Sequence, residues 1–270
     1  MPEHLVADWG NPLAAQWVGD RAQPTIVFLH GFLGSGADFC AIATALGDRY
    51  SSLLIDLPGH GMSLIEDDAA YSMAATAALV MQLLEAFELG SIDLYGYSMG
   101  GRLALYLALY YPEKIRRIML ESASPGLLTP EAQQRRRIHD RAIAQQLLTL
   151  PLADFLDDWY AQPLFQSLQQ SSDFATLYQT RLQNHPKFLA KSLLGMGTGS
   201  QPSLWNDLVM LARPLHLLAG AKDSKFCQIH TAMQQTAPSQ IRLSVIQQTG
   251  HNIHWENPAA VIREIAKFFT

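Results

Sequence analysis

Cysteine is close to absent. Cys40 and Cys227 are the only two in a chain of 270 residues, and they stand far apart. So small a supply excludes a disulfide-stapled fold and any C-x-x-C metal or redox pair. One disulfide between them stays formally open, but two free thiols in a reducing compartment are the expectation. Charge is scarce as well. Only 16% of the residues are charged, and 24 acidic against 19 basic side chains leave a net charge of −5. The few basic clusters are not interleaved with aromatics, which argues against nucleic acid as a partner. The same balance repels anions weakly, so an anionic ligand needs locally placed arginines. Long apolar runs are missing too. The richest window, residues 73–87, is broken by Thr76, Gln82 and Glu85 and reads as an amphipathic helix rather than a membrane span. Met1-Pro2-Glu3-His4-Leu5 has neither the basic leader nor the apolar stretch of a signal peptide, so a cytoplasmic location is expected. His251-Asn252-Ile253-His254 has a ligand-like spacing, but nothing acidic or thiol-bearing completes a set, and no metal is expected.

What is abundant is apolar residue, at 49%, enough for a large core and against disorder. Continuous apolar runs at residues 24–29, 52–56, 92–95, 115–120, 215–219 and 242–246 read as strands, and helix-like segments separate them. That pattern implies an α/β protein with a mostly parallel sheet covered on both faces. Between about Pro125 and Arg213 no strand is evident. Helices are expected instead over 131–148, 152–160, 171–184 and 187–196. Residues 1–124 and 213–270 therefore form the expected core and 125–212 an inserted helical cap, with a second independent helical domain as the alternative. The last helix begins at Pro258 and presents Val261, Ile265, Phe268 and Phe269 as an apolar stripe for the sheet.

Gly96-Tyr97-Ser98-Met99-Gly100 lies between one of these strands and a helix. Strand, G-x-S-x-G, helix is the nucleophile elbow, in which a serine at a strained turn exposes its hydroxyl at a helix N-terminus. The flanking glycines are expected to let the backbone turn sharply there. Serine is a weak nucleophile and base at neutral pH, and needs an imidazole that a carboxylate orients. The chain order Ser, acid, His is met by Ser98, Asp223 and His251, the last two on loops beyond strand ends. Asp56, which also ends a strand, is the rival acid, and His254 the rival base. The backbone N–H groups of Met99 and Phe32, the latter in His30-Gly31-Phe32-Leu33-Gly34, are the expected oxyanion hole.

Arg102 follows Ser98 by one helical turn and so shares its face. Its guanidinium must find an anion or a carboxylate, since it does not lose its charge. A salt bridge to an acid of the cap is one outcome. With Arg135-Arg136-Arg137 and Arg181 in cap helices, the alternative is a pocket for a polycarboxylate, where an esterase would want apolar lining. Taken alone, the cap arginines read as solvated.

Taken in order, His30-Gly31-Phe32, Asp56-Leu57-Pro58-Gly59-His60-Gly61, Gly96-Tyr97-Ser98-Met99-Gly100-Gly101-Arg102, Ser124-Pro125-Gly126-Leu127, Asp157-Asp158-Trp159-Tyr160-Ala161-Gln162-Pro163, Asp223-Ser224-Lys225-Phe226 and Gly250-His251-Asn252 with Glu256-Asn257-Pro258 resemble the 2-succinyl-6-hydroxy-2,4-cyclohexadiene-1-carboxylate (SHCHC) synthase family, MenH, of the α/β-hydrolase superfamily. The likeness runs from about Thr25 to the C-terminus. Arg102 after the elbow, Trp159-Tyr160-x-x-Pro163 and Asp223-Ser224-Lys225-Phe226 are its most specific parts. The resemblance implies a lyase of menaquinone and phylloquinone biosynthesis that eliminates pyruvate from a cyclohexene bearing succinyl, carboxylate and enolpyruvyl groups, without a cofactor. It implies Ser98, Asp223 and His251 as the triad, and Arg102, Arg136 and Arg181 as carboxylate ligands. Tyr97 and Trp159 would line the pocket. Which of Arg135, Arg136 and Arg137 faces the site stays open by one residue of register. A serine ester or C–C bond hydrolase on the same fold is the alternative, and a non-catalytic ligand-binding module a third. The expected partner is a small tricarboxylate. The oligomeric state is open, and a monomer is compatible with the chain.

Overall fold

The protein is described from a computed structural model that covers residues 12–270 and, before them, the strand backbone of His4–Leu5. The rest of the expected N-terminal core segment lies outside the described residues. Among the described residues eight strands form one sheet: β1 (His4–Leu5), β2 (Ala15–Val18), β3 (Thr25–Leu29), β4 (Ser51–Ile55), β5 (Ile92–Tyr97), β6 (Ile115–Glu121), β7 (Leu215–Gly220) and β8 (Ile241–Ile246). Their order is β1-β2-β4-β3-β5-β6-β7-β8. From β4 through β8 every pairing is parallel, while β1 and β2 join antiparallel at the edge. The edge pair is not apparent from the sequence, because four residues of mixed polarity carry too little periodicity to stand out.

The helices are α1 (Cys40–Leu46), α2 (Met73–Ala86), α3 (Ser98–Tyr110), α4 (Pro130–Thr149), α5 (Leu152–Tyr160), α6 (Gln166–Gln169), α7 (Phe174–Arg181), α8 (Pro186–Met196), α9 (Ser224–Thr236), α10 (Ile253–Glu256) and α11 (Pro258–Phe268). Alternation along the strands divides them between two faces. Val27, Leu29, Leu53 and Ile55 pack with Leu84, Leu103 and Leu107 of α2 and α3. Ile26, Phe28 and Leu54 pack with Ile42 and Leu46 of α1 and with Val261, Ile265 and Phe269 around α11. Phe268 is a partial neighbour of that cluster, so the expected C-terminal stripe lies on the sheet. Strands covered by helices on both sides make the mostly parallel α/β sheet that the strand pattern implies, and the architecture agrees with the α/β-hydrolase fold that the resemblance implies.

Residues 125–212, between β6 and β7, contain no strand. Their helices have a core of their own, in which Phe155, Leu156, Tyr160, Phe165, Leu177, Leu189 and Leu193 gather with Leu33 of the core loop after β3. Local chemistry sets the helix starts. Thr129 caps α4 through a 3.2 Å bond from the Ala132 N–H, and Asn257 caps α11 by accepting from Ala260 at 3.1 Å, each with proline in the first turn. The helix expected over 171–184 is shorter, because the chain reaches it through a turn at Ser171–Asp173 and leaves α7 at Arg181. Both cysteines are free. Among the described residues no helix is long and apolar enough to cross a membrane.

Candidate active site

The end of β5 runs straight into α3 with Ser98 as its first residue. Ser98 holds φ +48°, a left-handed conformation that costs a non-glycine residue energy and turns its side chain out of the strand line. The strain therefore sits on the serine, as expected, and neither Gly96 nor Gly100 has positive φ. The glycines are needed for clearance. A Cβ on Gly100 would lie 2.3 Å from the Leu29 carbonyl oxygen, and one on Gly96 would lie 2.6 Å from that of Gly100. Side chains at either position would push α3 off the sheet and open the elbow.

His251 reaches Ser98 from the loop after β8. Its Nδ1 is 2.7 Å from Asp223 Oδ2 and its Nε2 is 3.3 Å from Ser98 Oγ. A carboxylate only accepts, so Nδ1 carries the proton and Nε2 presents its lone pair to the serine hydroxyl. The second Asp223 oxygen accepts the Phe226 N–H at 3.2 Å, which makes the same carboxylate the cap of α9. Asp223 is thereby fixed at both oxygens. Phe226 packs on the His251 ring at 4.7 Å, with Tyr97 at 5.6 Å. All three polar groups lie beyond strand ends, where such sheets place their sites.

The rival residues are engaged elsewhere. Asp56 accepts the N–H groups of Gly36 at 2.8 Å and Met62 at 2.9 Å and so organises a turn. His254 is buried, donates to Glu121 at 2.8 Å and packs on Tyr97 at 4.5 Å. Tyr95 donates its hydroxyl to the same glutamate. His251 and His254 thus face different carboxylates.

Met99 stands in the first turn of α3, where a backbone N–H has no acceptor within the helix. Phe32 lies on the loop after β3, and two buried histidines hold that loop. His60 Nε2 accepts the Leu33 N–H at 3.2 Å while its Nδ1 donates to Pro58 O at 3.1 Å. His30 Nε2 accepts from Leu57 at 2.9 Å and its Nδ1 donates to Gly31 O at 2.7 Å. Both rings are therefore neutral tautomers. Burial is the chief reason that the pKa of His30 falls to about 3 and that of His60 well below the ordinary value.

A cavity of about 970 Å³ opens over Ser98 between the strand ends and the helical insertion. Arg102, Arg136, Arg181, Tyr97 and Trp159 line it together with Ser98, Asp223 and His251. Of the three consecutive arginines, Arg136 is the one that lines the cavity, while Arg137 is turned to Gly199 O at 2.9 Å and to Gln134. Arg136 Nε donates to Asp140 at 2.6 Å. Arg102 is buried and meets no acid in an ion pair among the described residues. Its Nη1 donates to Met196 O at 2.7 Å and to Gln201 Oε1 at 3.0 Å. Burial, then the nearby charge of Arg136, lowers its pKa to about 10, with Asp140 acting the other way. Arg181 forms a bidentate pair with Asp38, both contacts at 2.8 Å. Burial opposes its charge, but Asp38 and Tyr160 more than offset this and raise its pKa. Trp159 meets Phe32 edge-on at 5.3 Å.

An α/β-hydrolase fold profile matches residues 24–258. The SHCHC synthase of Yersinia pestis (strain Pestoides F) is 38% identical over 93% of this chain and 89% of its own length. The chain is a member of the SHCHC synthase family. The solved structure of MenH from S. aureus superposes with a TM-score of 0.90 at 34% identity, covering 94% of this chain and 97% of that one. Protein PHYLLO of Arabidopsis thaliana is 34% identical over 94% of this chain, a match that spans 16% of PHYLLO's length.

Four residues of this SHCHC synthase family member contribute to the site without standing out in its sequence. Gln201 and Asp38 reach Arg102 and Arg181 across 99 and 143 positions, separations at which no local pattern operates. His30 and His60 sit inside the quoted motifs, yet their task of shaping the Phe32 loop follows only from their bonds to Leu57 and Leu33.

Proposed function

We propose that this protein eliminates pyruvate from 2-succinyl-5-enolpyruvyl-6-hydroxy-3-cyclohexene-1-carboxylate to give SHCHC, with Ser98 as the base. The observation that carries the reading is the Ser98–His251–Asp223 chain opening into the cavity that Arg102 and Arg136 line. Arg102 meets no acid in an ion pair among the described residues, and a buried guanidinium calls for an anion. The substrate carries three carboxylates. Arg102, Arg136 and Arg181 are the proposed ligands, with Tyr97 and Trp159 as walls. Arg181 already holds Asp38 and neighbours Tyr160, so its proposed part is positive charge fixed at the cavity wall. Segment 125–212 acts as the cap.

In the reaction His251 Nε2 takes the Ser98 hydroxyl proton as Ser98 Oγ removes the proton on the ring carbon α to the succinyl ketone. Negative charge moves onto the ketone oxygen, towards the N–H groups of Phe32 and Met99. The enolate then pushes electrons through the ring double bond and the C–O bond to the enolpyruvyl group breaks. The ring gains its second double bond. The leaving group is the enolate of pyruvate, which takes up the proton and becomes pyruvate. Water is neither consumed nor released. The two free thiols support a cytoplasmic setting. The test is to supply the enolpyruvyl substrate and follow pyruvate and the conjugated diene together. Their appearance at equal rates is expected, and neither forming would refute the reading.

A further inference from the structure

Five cationic side chains line the cavity, Arg102, Arg136, Arg181, Lys222 and Lys225, against the two acids Asp38 and Asp223. The acids are unevenly shared among the cations. Arg181 holds Asp38 and Arg136 holds Asp140. Arg102, Lys222 and Lys225 form no ion pair among the described residues. Asp223, between the two lysines in sequence, is turned inward and spent on His251 and the Phe226 N–H. The lysines are exposed, at the end of the loop after β7 and in the first turn of α9, flanking Asp223 in sequence, whereas Arg102 and Arg136 stand on α3 and α4. Lys225 Nζ lies 5.5 Å from the centre of the Phe226 ring, which also packs on His251. The chain as a whole is anionic at −5, so its long-range field does not draw in a polyanion. Attraction must come from the cavity's own rim.

We infer that Lys222 and Lys225 form an anion-receiving lip that draws the polycarboxylate substrate into the cavity by meeting one of its carboxylates first, before Arg102, Arg136 and Arg181 take the three carboxylates deeper inside. The inference rests on the proposed reaction and adds two specificity-determining residues to it. Exposed ammonium groups act through a screened field, so their contribution falls with ionic strength, whereas contacts to the buried Arg102 and Arg181 are screened far less. Flexible lysine stems also suit a carboxylate that arrives before the ring is seated.

The experiment compares the wild-type enzyme, the Lys222→Gln/Lys225→Gln double variant and the Lys222→Arg/Lys225→Arg double variant in pyruvate release, between about 0.02 and 0.5 M salt. At low salt the glutamine variant should lose about tenfold in kcat/KM, chiefly through KM. Its kcat/KM should then respond weakly to salt and converge on the wild type at the high end. The arginine variant should retain the wild-type KM and salt response. A glutamine variant with wild-type KM and salt response overturns the lip alone, as does a loss confined to kcat. A wild-type enzyme that releases no pyruvate overturns the reaction and the lip with it.

Discussion

Asp38 and Arg181 meet in a bidentate ion pair that ties the loop after β3 to the last residue of α7, 143 positions later, with both side chains almost wholly buried. The pair joins the helical insertion to the sheet at the wall of the cavity. An arginine held this way is anchored by the protein before any ligand arrives. Among the arginines it contrasts with Arg102, whose partners are the neutral oxygens of Met196 and Gln201.

Removing one member of such a pair leaves the other as a buried uncompensated charge. Asp38→Asn should destabilise the fold by about 3–5 kcal/mol. Denaturant unfolding checks this, and a change under about 1 kcal/mol would place the pair with surface ion pairs instead.

Arg102→Ala should lower kcat/KM for the tricarboxylate by about ten- to a hundredfold, the worth of a charge-assisted hydrogen bond of about 1.5–3 kcal/mol. Arg102→Lys should not restore it, because a point charge on a flexible stem cannot reproduce contacts made by a planar fork. Kinetics should be read beside a thermal melt, since truncation also strips a donor from Gln201 and Met196. An unchanged kcat/KM in a folded variant would remove Arg102 from substrate recognition.

Ser98→Ala should reduce pyruvate release by about a thousandfold or more, the usual share of a positioned general base. The variant loses the 3.3 Å contact with His251 Nε2 but keeps the strained backbone turn, so its melting behaviour should stay close to that of the parent. Turnover near the parental rate would exclude the serine as base.

Acid should weaken the fold in a defined window. Burial lowers His30 to about 3 and His230 to about 4, whereas in the unfolded chain both titrate near 6.5. Below pH 6.5 the unfolded state binds protons that the native state refuses, so stability is complete above that pH and declines as pH falls towards 4. Each histidine contributes up to one proton to the slope. Urea midpoints measured from pH 7 to 5 should fall steadily, and His230→Asn should flatten the decline. A midpoint constant over that range would contradict the buried neutral state.

The folding pattern was largely legible in one dimension. Six strands, the elbow, the C-terminal stripe and the strand-free stretch 125–212 all rest on periodicity and turn chemistry, which act over a few residues. The edge strand Ala15–Val18 is not legible there, because it is held by pairing with β4 and has no clear pattern of its own. Helix α9 is marked mainly by its cap, and Asp223 reads as a catalytic acid before it reads as a capping residue. The site divided in the same way. Ser98, Asp223 and His251 follow from their order along the chain. The choice of His251 over His254 follows from which carboxylate each imidazole meets, Asp223 or Glu121. Selection of Arg136 from three adjacent arginines is a matter of helix phase, about 100° per residue, which flanking residues only weakly constrain.

Sequence alone determined the elements, their order and the chemical types available, since propensity, periodicity and capping are local. Tertiary structure decided which cations are paired, which are left for a ligand, and which backbone atoms the elbow glycines must clear. The physical reason is that charge pairing and steric clearance depend on distances through space, and chain positions 38 and 181, or 102 and 201, become neighbours only when the sheet and the helical insertion close over one cavity.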